Sequence, residues 1–260
     1  MASNQGKIKY NVQRIFGVIG GILFVILLLS AIERKERSDS VDLMIDIKSE
    51  DETYFITKED VKNTLKRRFG HVLNGIPVGT LDVQEVEEVL EKDPFVKEAD
   101  VYIGALNTVN IRISQRRPIL RVIDEDGANF YLDEEGHFLP LSANYTARVP
   151  VATGQIPTFR DDYMEFEGNV VKGLFEIVSF AHQDEFLSAM LEQITVNKKH
   201  EFILIPKIGR QEILFGKAVR IAEKFENLIA FYKEGIPYEG WQKYKTINLK
   251  FKGQVVCKKK

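Results

Sequence analysis

PFVKEADVYIGALNTVNIRISQRRP, residues 94–118, is the stretch whose reading decides the fold. Val101 and Ile103 alternate along one face, Gly104 to Asn107 is turn-like, and Val109, Ile111 and Ile113 alternate again, so the pair reads as a hairpin. Working outward, Pro94 stops whatever helix precedes it. That helix is signalled by Asp82 with Glu85 three residues on, and by a buried stripe of Val83, Val86, Val89 and Leu90. Further back, Thr57 and Asp60 repeat the capping spacing, Val61, Leu65 and Phe69 mark a helical face, and Gly70 ends it. Before that, Val41, Leu43, Ile45 and Ile47 share one face of a strand over residues 41–48. The order strand, helix, helix, strand, strand predicts a small α+β domain over residues 41–117.

From Pro118 the texture changes to short strands split by turns. Ile119 to Ile123 runs into Asp124-Glu125-Asp126-Gly127, and Phe130 to Leu132 runs into Glu134-Glu135-Gly136. Residues 140–160 read as loop, 170–180 as helix, and strands follow near 193–197, 202–206 and 212–215. A helix is expected over 218–232, with Ile221, Phe225, Leu228 and Ile229 inward. Tyr244 to Phe251 alternates once more: Ile247, Leu249 and Phe251 face the core, while Tyr244, Thr246, Asn248 and Lys250 face out. Residues 118–257 thus predict a second, mixed and mainly antiparallel β domain with helices, and 258–260 a basic tail.

The start of the chain sets its compartment. Ile15 to Ile32 is eighteen residues without a charge, thirteen of them Leu, Ile, Val or Phe. At ~1.5 Å per residue that helix is roughly 27 Å long, close to the ~30 Å hydrocarbon core of a bilayer. A cleaved secretory signal usually has an apolar stretch of only ~7–15 residues, and Leu29-Ser30-Ala31 is a poor cleavage site. The reading is an uncleaved anchor over 15–32, behind a tail of residues 1–14 and ahead of a polar tether over 33–40. Lys/Arg counts on the two flanks tie. The short tail and the ease with which long domains translocate favour a cytoplasmic N-terminus and an external body. Gly17-x-x-x-Gly21 suits a close helix–helix contact in the membrane.

Thirty-six Lys+Arg stand against 38 Asp+Glu. Without Lys7, Lys9, Arg14 and the three terminal lysines, 30 basic residues face 38 acidic ones, and a body that acidic is a poor nucleic-acid binder. One cysteine, Cys257, excludes an intramolecular disulfide. The histidines at 71, 137, 182 and 200 have no metal-ligand spacing. Gly209 to Lys217 fails as a phosphate loop on count, and no G-x-S-x-G elbow exists. No catalytic, metal or cofactor-binding set is expected, nor a small-molecule substrate.

The strand-helix-helix-strand-strand order behind a single anchor resembles a polypeptide-transport-associated (POTRA) domain. Phe55-Ile56-Thr57, then Pro94-x-Val96-x-x-Ala99-x-Val101, then Thr108-Val109-x-Ile111-x-Ile113-x-x-Arg116-x-Pro118 is similar to the FtsQ/DivIB bacterial cell-division family. Tyr131-x-Asp133-x-x-Gly136 resembles the start of that family's second domain. Ile247-Asn248-Leu249-Lys250-Phe251 resembles its closing strand, with Lys224, Leu228 and Tyr232 on a helix placed like its last one. The likeness covers essentially the whole chain. Gln115 departs from it where the family often has an acid, and Asn248 and Lys250 replace a commoner Asp and Arg.

The resemblance implies a non-catalytic divisome scaffold in the bacterial cytoplasmic membrane at the division septum. It would bind FtsB/FtsL-like proteins and help control septal peptidoglycan synthesis. A domain ending on an alternating strand can accept an incoming strand by β-augmentation. The implied partner residues are Tyr244, Thr246, Ile247, Asn248, Leu249, Lys250, Phe251 and Gln254. The bland reading is that Lys243, Lys245, Lys250 and Lys252 blunt an edge against aggregation. Two other classes remain as alternatives, a POTRA-type assembly or secretion factor and a membrane-tethered cell-wall enzyme. The first lacks a following barrel and the second a convergent acid/base or nucleophile set.

Overall fold

A computed structural model describes residues 22, 24–26, 42–49, 53–73, 76–235, 240 and 243–260. The expected tail 1–14 and tether 33–40 lie outside these residues. So does the anchor over 15–32 with Gly17 and Gly21, except for Ile22, Phe24, Val25 and Ile26, which are helical with exposed side chains. Among the described residues no helix is long and apolar enough to cross a membrane. The chain divides into two compact units: residues 57–114 with the chain up to 50, and residues 115–260 with 51–56.

The first unit contains β1 (Leu43–Lys48), α1 (Lys58–Phe69), α2 (Val83–Glu91), β2 (Val96–Ile103) and β3 (Val109–Gln115). Its sheet order is β1-β3-β2, with β1 parallel to β3 and Ile45 opposite Ile111. Local chemistry sets the helix ends. Thr57 Oγ1 accepts from the Asp60 amide at 3.2 Å while the Asp60 carboxylate accepts from the Thr57 amide at 2.8 Å, a reciprocal capping box. Gly70 closes α1 at φ 79°, a left-handed conformation in which a side chain would be strained. Val61, Leu65, Val86 and Leu90 from the helices and Ile45, Val109, Ile111 and Ile113 from the sheet are all buried and form the core of this unit. Two details differ from the sequence pattern. Val83 is only half-buried, and Ile103, at the end of β2 beside the Gly104 turn, is 36% exposed.

The second unit is built on one nine-stranded sheet. In chain order its elements are β4 (Pro118–Ile123), β5 (Asn129–Asp133), β6 (Phe138–Leu139), β7 (Val151–Gly154), α3 (Val170–His182), α4 (Glu185–Met190), β8 (Leu191–Val196), β9 (Phe202–Pro206), β10 (Glu212–Gly216), α5 (Ile221–Ala230), β11 (Tyr244–Asn248) and β12 (Val256–Lys259). The spatial order is β12-β11-β10-β9-β8-β7-β4-β5-β6. The pairs β4/β7, β7/β8 and β10/β11 are parallel and the others antiparallel. The core sits between this sheet and α3 and α5: Phe180 stacks on Phe225 at 5.4 Å, and Phe225 meets Phe215 at 5.1 Å. Gly173 lets α3 approach β9, because a Cβ there would lie 2.8 Å from the Phe202 ring.

Three expectations are corrected here. Residues 140–160 are not all loop: Val151-Ala152-Thr153-Gly154 is a central strand, parallel to a neighbour on each side. The closing strand stops at Asn248 rather than Phe251. Leu249 is still buried and donates its amide to Leu214 O at 3.0 Å, but Phe251 is 48% exposed. The chain then turns at Gly253 (φ 65°) and returns as β12, so Lys258 and Lys259 stand on a strand instead of in a tail. A run of lysines reads as solvated chain, yet Lys258 and Lys259 are exposed to water on the outermost strand of the sheet in the same way.

Candidate partner-binding edge

The eight residues that the sequence assigns to partner binding fall on a single hairpin, β11 and the turn leading to β12. β11 is not the open edge. Glu212 and Leu214 of β10 pair with it in parallel on one side, and β12 pairs with it antiparallel on the other. Register places Asn248 opposite Val256, Ile247 opposite Cys257, Thr246 opposite Lys258 and Tyr244 opposite Lys259, with an irregularity between Tyr244 and Thr246. β12 is the outermost strand of the sheet.

Within that hairpin the eight residues do different jobs. Ile247 and Leu249 are fully buried core residues. Tyr244 is half-buried with its ring 5.8 Å from Phe231. Thr246 is half-buried opposite Lys258. Asn248 accepts from the Lys250 amide at 3.0 Å and so begins the turn. Lys250 reaches Glu201 at 3.3 Å, with its stem lying over Gly216. Phe251 and Gln254 are exposed. The turn is clamped to α5 from both sides: Gly253 donates its amide to Glu223 at 2.9 Å, and Arg220 donates to Lys250 O at 3.2 Å. The Gly253 amide, with the Arg220 guanidinium behind it, holds the Glu223 carboxyl below its ordinary range.

β12 itself escaped the sequence reading. The apolar run Val255-Val256-Cys257 before the lysines is the signal that could have found it. Cys257 is half-buried opposite Ile247, and burial pushes its thiol up, which suits a packed side chain rather than a nucleophile. Between Lys243 and Lys260 there are seven lysines and no acid. Lys260 donates its amide inward to Lys243 O at 3.2 Å, so by strand alternation the Lys259 amide points away from the sheet.

Two other edges, β6 and β2, are less suited to strand addition. At the opposite end of the large sheet β6 is two residues long. In the first unit, the side chains of Glu87 and Glu91 on α2 accept from the β2 amides of Val101 (2.7 Å) and Ala99 (3.2 Å), which closes that edge. Asp133, Glu135 and His137 lie close enough together to hold a metal ion. Arg116 Nη1 already occupies their centre, at 2.9 Å from Asp133 Oδ2, 3.3 Å from Glu135 and 2.9 Å from His137 Nδ1. Asp133 Oδ1 meanwhile accepts from the amides of Glu135 and His137, so the cluster is an arginine-centred turn lock. Gln115, the departure from the family's usual acid, keeps the acceptor role, taking the amides of Phe55 and Ile56 at 2.8 and 3.2 Å.

Residues 117–258 match the family described as FtsQ/DivIB, C-terminal related. The chain belongs to the FtsQ/DivIB family. Residues 40–114 match a POTRA-like domain, in agreement with the β1-α1-α2-β2-β3 order. Cell division protein FtsQ of Rhodothermus marinus is 24% identical over 200 residues, covering 74% of this chain and 71% of that protein. Membership in FtsQ/DivIB gives the chain a role in cell division, within a family of non-catalytic division proteins.

Proposed function

We propose that this FtsQ/DivIB protein is a non-catalytic scaffold of the bacterial division machinery. Residues 15–32 hold it in the cytoplasmic membrane with the body outside. It captures FtsB/FtsL-like partners by strand addition and through them helps control septal peptidoglycan synthesis. The receiving edge is β12 rather than β11, and the observation that carries this is the register: β11 is paired on both sides, while β12 is the outermost strand. Main-chain bonds to outward amides such as that of Lys259 supply affinity, and the lysines select an acidic segment.

The test is capture of a synthetic partner strand by the full chain, measured beside thermal melting. Lys259→Pro removes one outward donor and keeps the inward bond of Lys260. Lys258→Glu with Lys259→Glu reverses the local charge. Both variants should melt like the parent, within about ±0.5 kcal/mol as surface changes usually do, and both should lose at least about tenfold in affinity. Full-strength capture by both variants would remove β12 from the proposal.

A further inference from the structure

The two ends of the nine-stranded sheet are chemically opposite. At one end, the β11–β12 hairpin carries the seven lysines between 243 and 260, together with exposed Phe251 (48%) and Val256 (43%). At the other, the short strand β6 exposes Phe138 (42%), and the loop packed beside it exposes Met164 (37%) and Phe166 (50%). That loop is seated firmly. Phe159 lies 5.1 Å from Phe138 and 5.4 Å from Tyr163, and the Tyr163 hydroxyl donates to Gly136 O at 2.7 Å. Its rim is acidic: Asp161, Glu165 and Glu167 are exposed, and so are Glu125 and Asp126, whose turn is tied to the loop by the bond from Thr158 to Asp126. Arg160, the one basic residue in 158–168, is spent on Asp162 at 2.8 Å, and Lys172 of α3 lies 3.8 Å from Glu167, so the rim stays acidic through Asp161, Glu165, Glu125 and Asp126. Eight inter-strand steps of ~4.8 Å set the two patches roughly 38 Å apart along the sheet, on its opposite edges.

We infer that the acidic, aromatic β6 end of one molecule docks on the basic β12 end of a second copy of this chain. Charge complementarity names the occupant: each patch is an apolar centre with a charged rim, and the rims have opposite sign. The alternative of like edges meeting is disfavoured, because two β12 hairpins would bring fourteen lysines together. Opposite rims steer encounter, and exposed aromatics on both sides supply the area that is desolvated. A contact between different surfaces of identical chains is heterologous, so it propagates head to tail instead of closing as a two-fold dimer. It also covers β12, so an acidic partner strand and a second copy compete for one edge. The inference does not rest on partner capture: assembly can stand where capture fails.

The experiment is sedimentation of the full chain in neutral detergent at low and high ionic strength. The parent should form species larger than a dimer at low salt and dissociate at high salt, as screened charges require. Lys258→Glu/Lys259→Glu and Asp161→Lys/Glu165→Lys should each weaken self-association by about tenfold or more. An equimolar mixture of the two variants should associate again, since the unaltered acidic end of the first meets the unaltered basic end of the second. Adding a short acidic strand peptide should dissociate the parent assembly. A parent that is monomeric at low salt, a closed dimer, or an assembly indifferent to both reversals would overturn the inference. The last of these would place self-association outside both rims. A mixture that stays apart would overturn it as well.

Discussion

Lys224 offers the sharpest quantitative test of this structure. It lies on α5 with only 3% of its surface exposed, and its ammonium donates to Phe215 O at 2.8 Å and Lys217 O at 2.7 Å, 4.6 Å above the Phe215 ring. It therefore ties the exit of β10 to the helix. Burial, with Arg220 nearby, pulls its pKa down to about 8 against an ordinary 10.5, although Glu223 and Glu201 pull the other way. Below that value the lysine is charged in both folded and unfolded chains, and the full cost of burial is present. Between about 8 and 10.5 the folded protein has released the proton and the unfolded chain still holds it, so stability rises with pH. A single group shifted this far makes the fold about 2 kcal/mol more stable at pH 9.5 than at pH 7. Cys257 and Tyr163 oppose this, because burial raises both and the unfolded chain loses those protons first. The difference between parent and Lys224→Met isolates the lysine. At pH 7 the variant loses two charge-assisted bonds but is relieved of the buried charge, so its stability should lie within about 2 kcal/mol of the parent. By pH 9.5 the parent should have gained about 2 kcal/mol on the variant, read from urea unfolding curves at each pH. Parallel pH profiles would show that the buried ammonium is not shifted and refute the reasoning.

Leu249→Ala should destabilise the second unit by ~2–5 kcal/mol, since its side chain is 1% exposed in the core, whereas Phe251→Ala should cost less than about 1 kcal/mol. Differential scanning calorimetry distinguishes the two, and equal losses would mean that Phe251 packs inward after all. Arg116→Leu leaves Asp133, 2% exposed, with two backbone donors and no cation, and should cost about 2–4 kcal/mol. Asp133→Asn/Arg116→Leu should recover part of that, and a double mutant no better than the single one would dismiss the pair. For the anchor, protease added to spheroplasts should digest the body while the mature N-terminus remains at the start of the chain. A new N-terminus near Ile32 would instead show cleavage.

What the sequence made legible was whatever is fixed locally. α1 and α2 are announced by the Thr57/Asp60 and Asp82/Glu85 caps, and β3 by Val109, Ile111 and Ile113, because caps and alternation act over three or four residues. β7 had no such signal. Val151 to Gly154 is four residues with one large apolar side chain, and it is a strand because β4 and β8 lie on both sides of it. The same reason hid the true edge: whether β11 or β12 is outermost depends on pairing between residues 8 to 15 apart, and lysines occupy both. Lys224 reads on paper as a solvated residue of an amphipathic helix. Its burial follows from the carbonyls of Phe215 and Lys217 needing a donor at a place no local pattern reveals.

The edges show two different solutions to one physical problem. An unpaired strand will accept any extended chain, so a protein must either close it or make it selective. β2 is closed: Glu87 and Glu91 take amides that a foreign strand would use, and an invader would have to displace two carboxylates. β12 is left open and made positive. Its lysines repel a copy of themselves and any basic segment; in the proposed scaffold each would also be a favourable contact for an acidic strand, so the feature that limits aggregation would choose the partner as well. Exposed pairs of this kind add little affinity one at a time. Their effect is in the sum over seven lysines and in the rate of encounter, which is why binding at β12 should fall steeply with ionic strength while the fold beneath it, held by Ile247, Leu249 and the Glu223 clamp, should not.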